Sequence, residues 1–307
     1  MKKTHIISKI WYLLKNTALE FIEDNAIKLS AALAYYTIFA LPPLLIIIIT
    51  ICGFFFGEEA VTGQLYGQIN GLVGNDGALQ IQEAIKNVKL SDSNLFVNIF
   101  GVTMLIIGAS GVFAEIQSSI NFIWGLKAKP KKGLKKFLQN RLMSFSMIAS
   151  LGFLMLVSLM VNTTLDVLSS NLKEYFHEAT VYLFFAINSI IIFCTITVLF
   201  AIIFRTLPDG IIKWKDAFLG ASCTAILFMI GKFLISFYLG SSTIGSIYGA
   251  AGSVIIILVW VYYSAIILYF GAEFTKVYAQ MYGGKIEPNE YSVAIKKEIV
   301  ELEETSN

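Results

Sequence analysis

The chain has 307 residues, 56% of them hydrophobic and only 14% charged, with a mean hydropathy of +0.72 and a net charge of +2. A soluble domain of this length would distribute its apolar residues along alternating or helical-face patterns, whereas here they run in long blocks between charges. That excludes a soluble globular protein, and the bilayer is the solvent for most of the chain.

Residues before the first block read as an amphipathic helix. Ile7, Ile10, Trp11, Leu14, Ala18 and Phe21 recur at helical spacing, with Lys9, Lys15, Asn16, Glu20 and Glu23 on the other faces. Such a helix suits the headgroup layer of an anionic membrane. The first apolar stretch is broken by Lys9 and lacks a small-residue cleavage site, so the first span is expected to serve as the insertion signal.

Charge-free runs follow at 29–57, 93–114, 142–165, 179–204, 217–231 and 233–272, the last two separated only by Lys232. Roughly 20 residues rising about 1.5 Å each cross the hydrocarbon core. The runs therefore predict six spans, near 33–56, 95–118, 142–164, 181–204, 217–239 and 253–275. Lys and Arg near span ends stay on the cytoplasmic side. With six spans, nineteen basic residues fall on one side and three (Lys86, Lys89 and Lys173) on the other, which places both termini in the cytoplasm. The fold class expected is an all-α polytopic membrane protein with an N-terminal interfacial helix and amphipathic helices on the outer side. Residues 1–280 form one membrane domain, and 281–307, ending in Glu301, Glu303 and Glu304, form a flexible cytoplasmic tail.

Between the first two spans, Gly63, Gly67 and Gly71 repeat at four-residue spacing, followed by Gly74 and Gly77, and Ile81, Ala84, Ile85 and Val88 make a second apolar stripe. Close helix contact is one explanation of the glycines. The loop after the second span carries Lys131, Lys132, Lys135, Lys136 and Arg141 with no acidic residue, which makes these the candidate contacts for lipid headgroups. Phe137 is the only aromatic among those charges, so nucleic acid is not an expected partner.

Several positions could line a substrate path. Pro42-Pro43 removes backbone donors in the middle of the first span and predicts a kink, and the carbonyls it frees at membrane depth are tolerated only inside protein or beside a wet cavity. Lys232 is the one basic residue deep in an apolar run, with Asp166 as its expected internal partner. Glu115, with Gln117 two residues on, and Glu273 lie near the inner ends of their spans and could share a cavity, although Lys276 three residues after Glu273 also fits a simple helical pair. Cys52, Cys194 and Cys223 all lie in apolar runs, with neither disulfide nor metal-cluster spacing. No cofactor is expected.

The combination of Leu33-Ala34-Tyr35-Tyr36-Thr37 before Pro42-Pro43, Asn121-Phe122-Ile123-Trp124, Arg205 with Leu207-Pro208, Trp214-Lys215-Asp216-Ala217, Trp260-Val261-Tyr262 and Gly271-Ala272-Glu273 resembles the YihY/BrkB family over about residues 20–280. These are bacterial inner-membrane proteins once labelled ribonuclease BN. The resemblance implies a six-helix inner-membrane protein with suggested parts in envelope maintenance and lipid transport. A metal-dependent nuclease needs clustered ligands, yet His5 and His177 are the only histidines, and the expected topology puts them on opposite sides of the membrane. No phosphate loop, Ser/His/Asp set or catalytic carboxylate pair is present, so an enzyme is not expected. The function expected is a transporter or lipid flippase for a lipid or amphipathic substrate, the alternative being a non-transporting envelope scaffold. Membrane lipids, that substrate and further copies of the chain are the partners admitted.

Overall fold

The computed structural model describes residues 2–57, parts of 59–83, 95–129, 178–240, 250–282 and 284–296. Among the described residues, six long helices carry the fold: α1 (Lys2–Glu23), α2 (Ala26–Phe56), α3 (Leu95–Ile123), α4 (Glu178–Thr206), α5 (Trp214–Gly240) and α6 (Ala250–Met281). The protein is an all-α polytopic membrane protein, as its hydropathy requires. Among the described residues, three unbroken segments are long and apolar enough to cross a bilayer: Ser189–Thr206, Trp214–Ile235 and Val254–Met281. A fourth, Ala26–Pro42 with Leu44–Thr50, is bent by 43°. The bend falls at Pro42-Pro43, where the missing N–H groups and the ring clash interrupt the helix ladder. α3 coincides with the second expected span. The expected span 142–164, the headgroup candidates Lys131, Lys132, Lys135, Lys136 and Arg141, and Asp166 and His177 lie outside the described residues.

α1 turns into α2 through Asp24 and Asn25. Asn25 adopts a left-handed conformation (φ 53°), which asparagine tolerates better than other residues with a side chain. The reversal lays α1 against the last turns of α6, where Leu13 packs with Phe274 and Val277. Leu13, Thr17 and Phe21 are buried, while Ile10, Trp11, Tyr12, Leu19 and Ile22 remain exposed. An apolar surface of that extent suits a helix lying along a bilayer.

α6 is the hub of the bundle, touching α1, α2, α3 and α5, while α2 also packs on α3 and α4 on α5. Lipid tails are as apolar as the helices, so association relies on close fit rather than on the hydrophobic effect. The outer faces are apolar accordingly, with Phe233 73% and Ile230 53% exposed. Along the α5–α6 seam, positions 220 and 224 meet 275 and 271, and 231 meets 263, so the two helices run antiparallel. The best-buried side chains, among them Ile120, Ile123, Phe204, Leu207, Tyr269 and Glu273, gather toward one end of the bundle.

That end is closed by two small antiparallel sheets. β1 (Leu126–Ala128) pairs with β4 (Ser292–Ala294), and β2 (Gly210–Ile211) pairs with β3 (Glu287–Pro288). Gly125 makes the turn from α3 into β1 at φ 65°, and its carbonyl accepts from the Ile295 amide at 2.7 Å. Residues 287–294, which composition alone assigns to a solvated tail, are instead stitched to the ends of α3 and α4. Polar composition gives no sign of this, because the pairing partners are two short inter-helix links far away in sequence. A second correction concerns the glycine repeat. Gly63 and Gly67 are helical, and a Cβ placed on either would meet nothing within 4 Å, so neither makes a close helix contact with the described residues. Gly71, Gly74, Gly77, Ile81, Ala84, Ile85 and Val88 lie outside them.

Candidate functional site at the sheet-bearing end

Two polar assemblies occupy the end of the bundle that bears the sheets. The first is built around Asp209, which follows Leu207-Pro208. Proline ends α4, and Leu207, 1% exposed, anchors the link in the core. Asp209 is itself 4% exposed. Its carboxylate accepts from Asn121 Nδ2 at 2.9 Å and Gln117 Nε2 at 3.3 Å, and its amide donates to Asn121 Oδ1 at 2.7 Å. Its carbonyl accepts from the Ser292 hydroxyl at 2.7 Å and from the Asn289 amide at 3.0 Å. One residue thereby ties together α3, the link after α4 and the C-terminal strands. Gln117 and Asn121 both reach it because they are four residues apart on one face of α3.

Beside this network is a cavity of about 580 Å³. Gln117, Ser118, Asn121, Asp209 and Lys127 form its polar wall, and Ala114, Phe122, Leu126 and Ile295 its apolar wall. Just beyond β1, Lys129 Nζ donates to the Glu290 carbonyl at 3.3 Å. The Tyr291 phenol, held by the Glu290 carboxylate, keeps its proton above the usual tyrosine range.

The second assembly joins α1 to α6. Lys276 Nζ lies 2.6 Å from Glu20, 3.1 Å from Asp24 and 3.2 Å from Glu273. The helical pair of Glu273 and Lys276 expected from spacing is present, but it is buried and extended by two carboxylates from another helix. One oxygen from each of Glu20, Asp24 and Glu273 lies within 4.8 Å of the others, a spacing a metal ion could use, and the Lys276 ammonium supplies the cation there. Glu273 is completely buried. One turn earlier on α6, Tyr269 is also completely buried and has Ser119 and Glu115 of α3 as polar neighbours. Ser119 donates to Glu115 at 3.2 Å.

The residues singled out from sequence are thus distributed over several places. Gln117 lines the cavity, Glu273 belongs to the lysine cluster, and half-buried Glu115 stands near Tyr269 between the two. Pro42 and Pro43 lie in the bend of α2. Lys232 is exposed on α5 and is not among the residues lining the cavity beside Asp209. Asp209, Asn289, Ser292, Glu20 and Asp24 were not singled out as site residues. The available signal was a carboxylate directly after Leu207-Pro208 in a link too short to be solvated freely.

The motif residues have structural places. Trp124 Nε1 donates to the Ala272 carbonyl at 3.1 Å, joining α3 to α6, and the Arg205 guanidinium sits 5.9 Å from the Trp214 ring centre across the α4–α5 link.

Among curated relatives, each named UPF0761 membrane protein, that of Saccharophagus degradans is 27% identical over 262 residues, covering 85% of this chain and 58% of its own length. The one from Pseudoalteromonas atlantica is 28% identical, covering 83% of this chain and 82% of its own, and the one from Azotobacter vinelandii 26%, covering 82% and 60%. The chain thus spans about 60% of the length of two of these three relatives. No solved structure matches it. The family model described as Virulence factor BrkB matches residues 17–295, taking in both polar assemblies and the paired tail, and the chain belongs to that family of membrane proteins.

Proposed function

We propose that the protein moves a lipid or another amphipathic molecule across the bacterial inner membrane, with the sheet-bearing end and both termini in the cytoplasm. The observation that carries this reading is the divided lining of the cavity. Asn121, Gln117, Asp209 and Lys127 offer donors, acceptors and a charge to a headgroup, while Phe122, Leu126 and Ile295 offer apolar contact to a chain. The basic excess at this end of the spans supports the orientation. The bend at Pro42-Pro43 supports a bundle whose helices do not all run straight through. A non-transporting scaffold would have no use for a cavity lined in this way.

The test is a scrambling assay with purified protein in vesicles containing fluorescently labelled phospholipid. Movement above protein-free vesicles, reduced by Ser118→Trp in the cavity wall, is expected. Folded protein that moves no labelled lipid or lysolipid at all would sink the reading and leave the scaffold.

A further inference from the structure

Buried charge must be balanced, and the cluster between α1 and α6 is not. Three carboxylates, Glu20, Asp24 and Glu273, surround a single ammonium, Lys276. With every group ionised the cluster would hold two negative charges in excess, and a buried ion without a counter-charge is costly. The excess falls hardest on Glu273. Its side chain is 0% exposed, Oε2 pairs with Lys276, and buried Oε1 has no hydrogen-bond partner among the described residues.

α1 presents Glu20 and Asp24, and α6 itself presents Lys276 and, one turn back, Tyr269. α3 presents Glu115 and Ser119 near the Tyr269 hydroxyl. Among the described residues no ion pair reaches Glu273 from α2 or α5. Exposure falls in one direction through the carboxylates, from 38% for the Glu20 side chain to 8% for Asp24 and 0% for Glu273. The three form a graded entry from the surface into the bundle.

We propose that Glu273 is a proton-binding site, loaded from the aqueous surface through Glu20 and Asp24. The O–H bond forms on Oε1, the proton comes from bulk solution, and the cluster's excess drops by one negative charge. Glu273 then carries a donor that can turn toward Tyr269 and Glu115, while Oε2 stays with Lys276. The site is distinct from the cavity at Asp209 and stands or falls independently of lipid movement.

Infrared difference spectroscopy of the full-length protein in lipid tests it directly. A protonated carboxylic acid gives a carbonyl stretch above the amide I band that shifts in heavy water. The band is expected in the wild type at neutral pH, lost in Glu273→Gln and retained in Glu115→Gln. A second variant uses the charge count. In Glu20→Gln with Asp24→Asn, Glu273 is left as the sole counter-ion of Lys276, should release its proton, and the band should disappear with Glu273 still present. Folded wild-type protein without the band, or a band that survives either Glu273→Gln or the double change on α1, would overturn the assignment.

Discussion

Thr224 of α5 occupies the space that a side chain at Gly271 of α6 would need, and Thr275 of α6 does the same to Gly220 of α5. Each threonine hydroxyl donates to the carbonyl four residues back, Thr224 to Gly220 and Thr275 to Gly271, both at 2.7 Å. The glycine that opens a notch for the neighbouring helix therefore also accepts the bond that satisfies the buried hydroxyl on its own helix. The arrangement is reciprocal and fixes the register of two antiparallel helices.

Gly271→Ala is expected to destabilise the protein by about 1–3 kcal/mol, because the new methyl overlaps Thr224 Oγ1 in a packed seam. Helix propensity alone predicts the opposite sign, since alanine is favoured over glycine by about 1 kcal/mol. Thermal unfolding in detergent decides between them. Adding Thr224→Ala should restore most of the loss, and a double variant no better than the single one would show that the contact is not the cause.

Lys276→Met should cost about 3–5 kcal/mol, the range for removing one partner from a buried ionic cluster, because Glu20, Asp24 and Glu273 would face one another without a cation. Combining it with Asp24→Asn removes the more buried of the two carboxylates that stay ionised and should recover part of the loss. Chemical denaturation of the two variants in the same detergent gives the comparison.

Asn121→Ala removes two hydrogen bonds to Asp209 and leaves a buried carboxylate short of a donor, for a loss of about 1–3 kcal/mol. The effect should appear first in the paired tail, which Asp209 holds through Ser292 and Asn289. Limited trypsin digestion should then cut after Lys285 and Lys296 sooner than in the wild type, with the spans still protected.

Trp11 is 69% exposed on a helix whose opposite face is docked against α6. In vesicles containing brominated phospholipids, Trp11 should be quenched most by bromines near the headgroup end of the chains, and Trp11→Phe should remove that component of the quenching. Quenching unchanged by the substitution would place α1 away from the bilayer surface.

Much of the architecture is legible in the order of residues because the bilayer imposes a single rule on each segment. Runs of about 20 apolar residues must become helices whose backbone groups bond internally, so α2, α4, α5 and α6 follow from hydropathy, and the bend of α2 follows from Pro42-Pro43. The amphipathic spacing of α1, the pairing of Glu273 with Lys276, and membership of the BrkB family were readable in the same way, since each depends on neighbours within a helical turn or on an ordered set of motifs.

What only the tertiary structure decided are the contacts between segments distant in sequence. Asp209 joins Asn121 across 88 residues and Ser292 across 83, and Lys276 meets Asp24 across 252. Hydropathy reports each residue's preference for lipid or water and carries no information about which polar residues will share a buried site. Burial then forces those residues to find partners, since an unsatisfied polar group inside the bundle costs on the order of 1–3 kcal/mol. For that reason composition assigned the tail to solvent, while the folded chain uses it to close one end of the bundle.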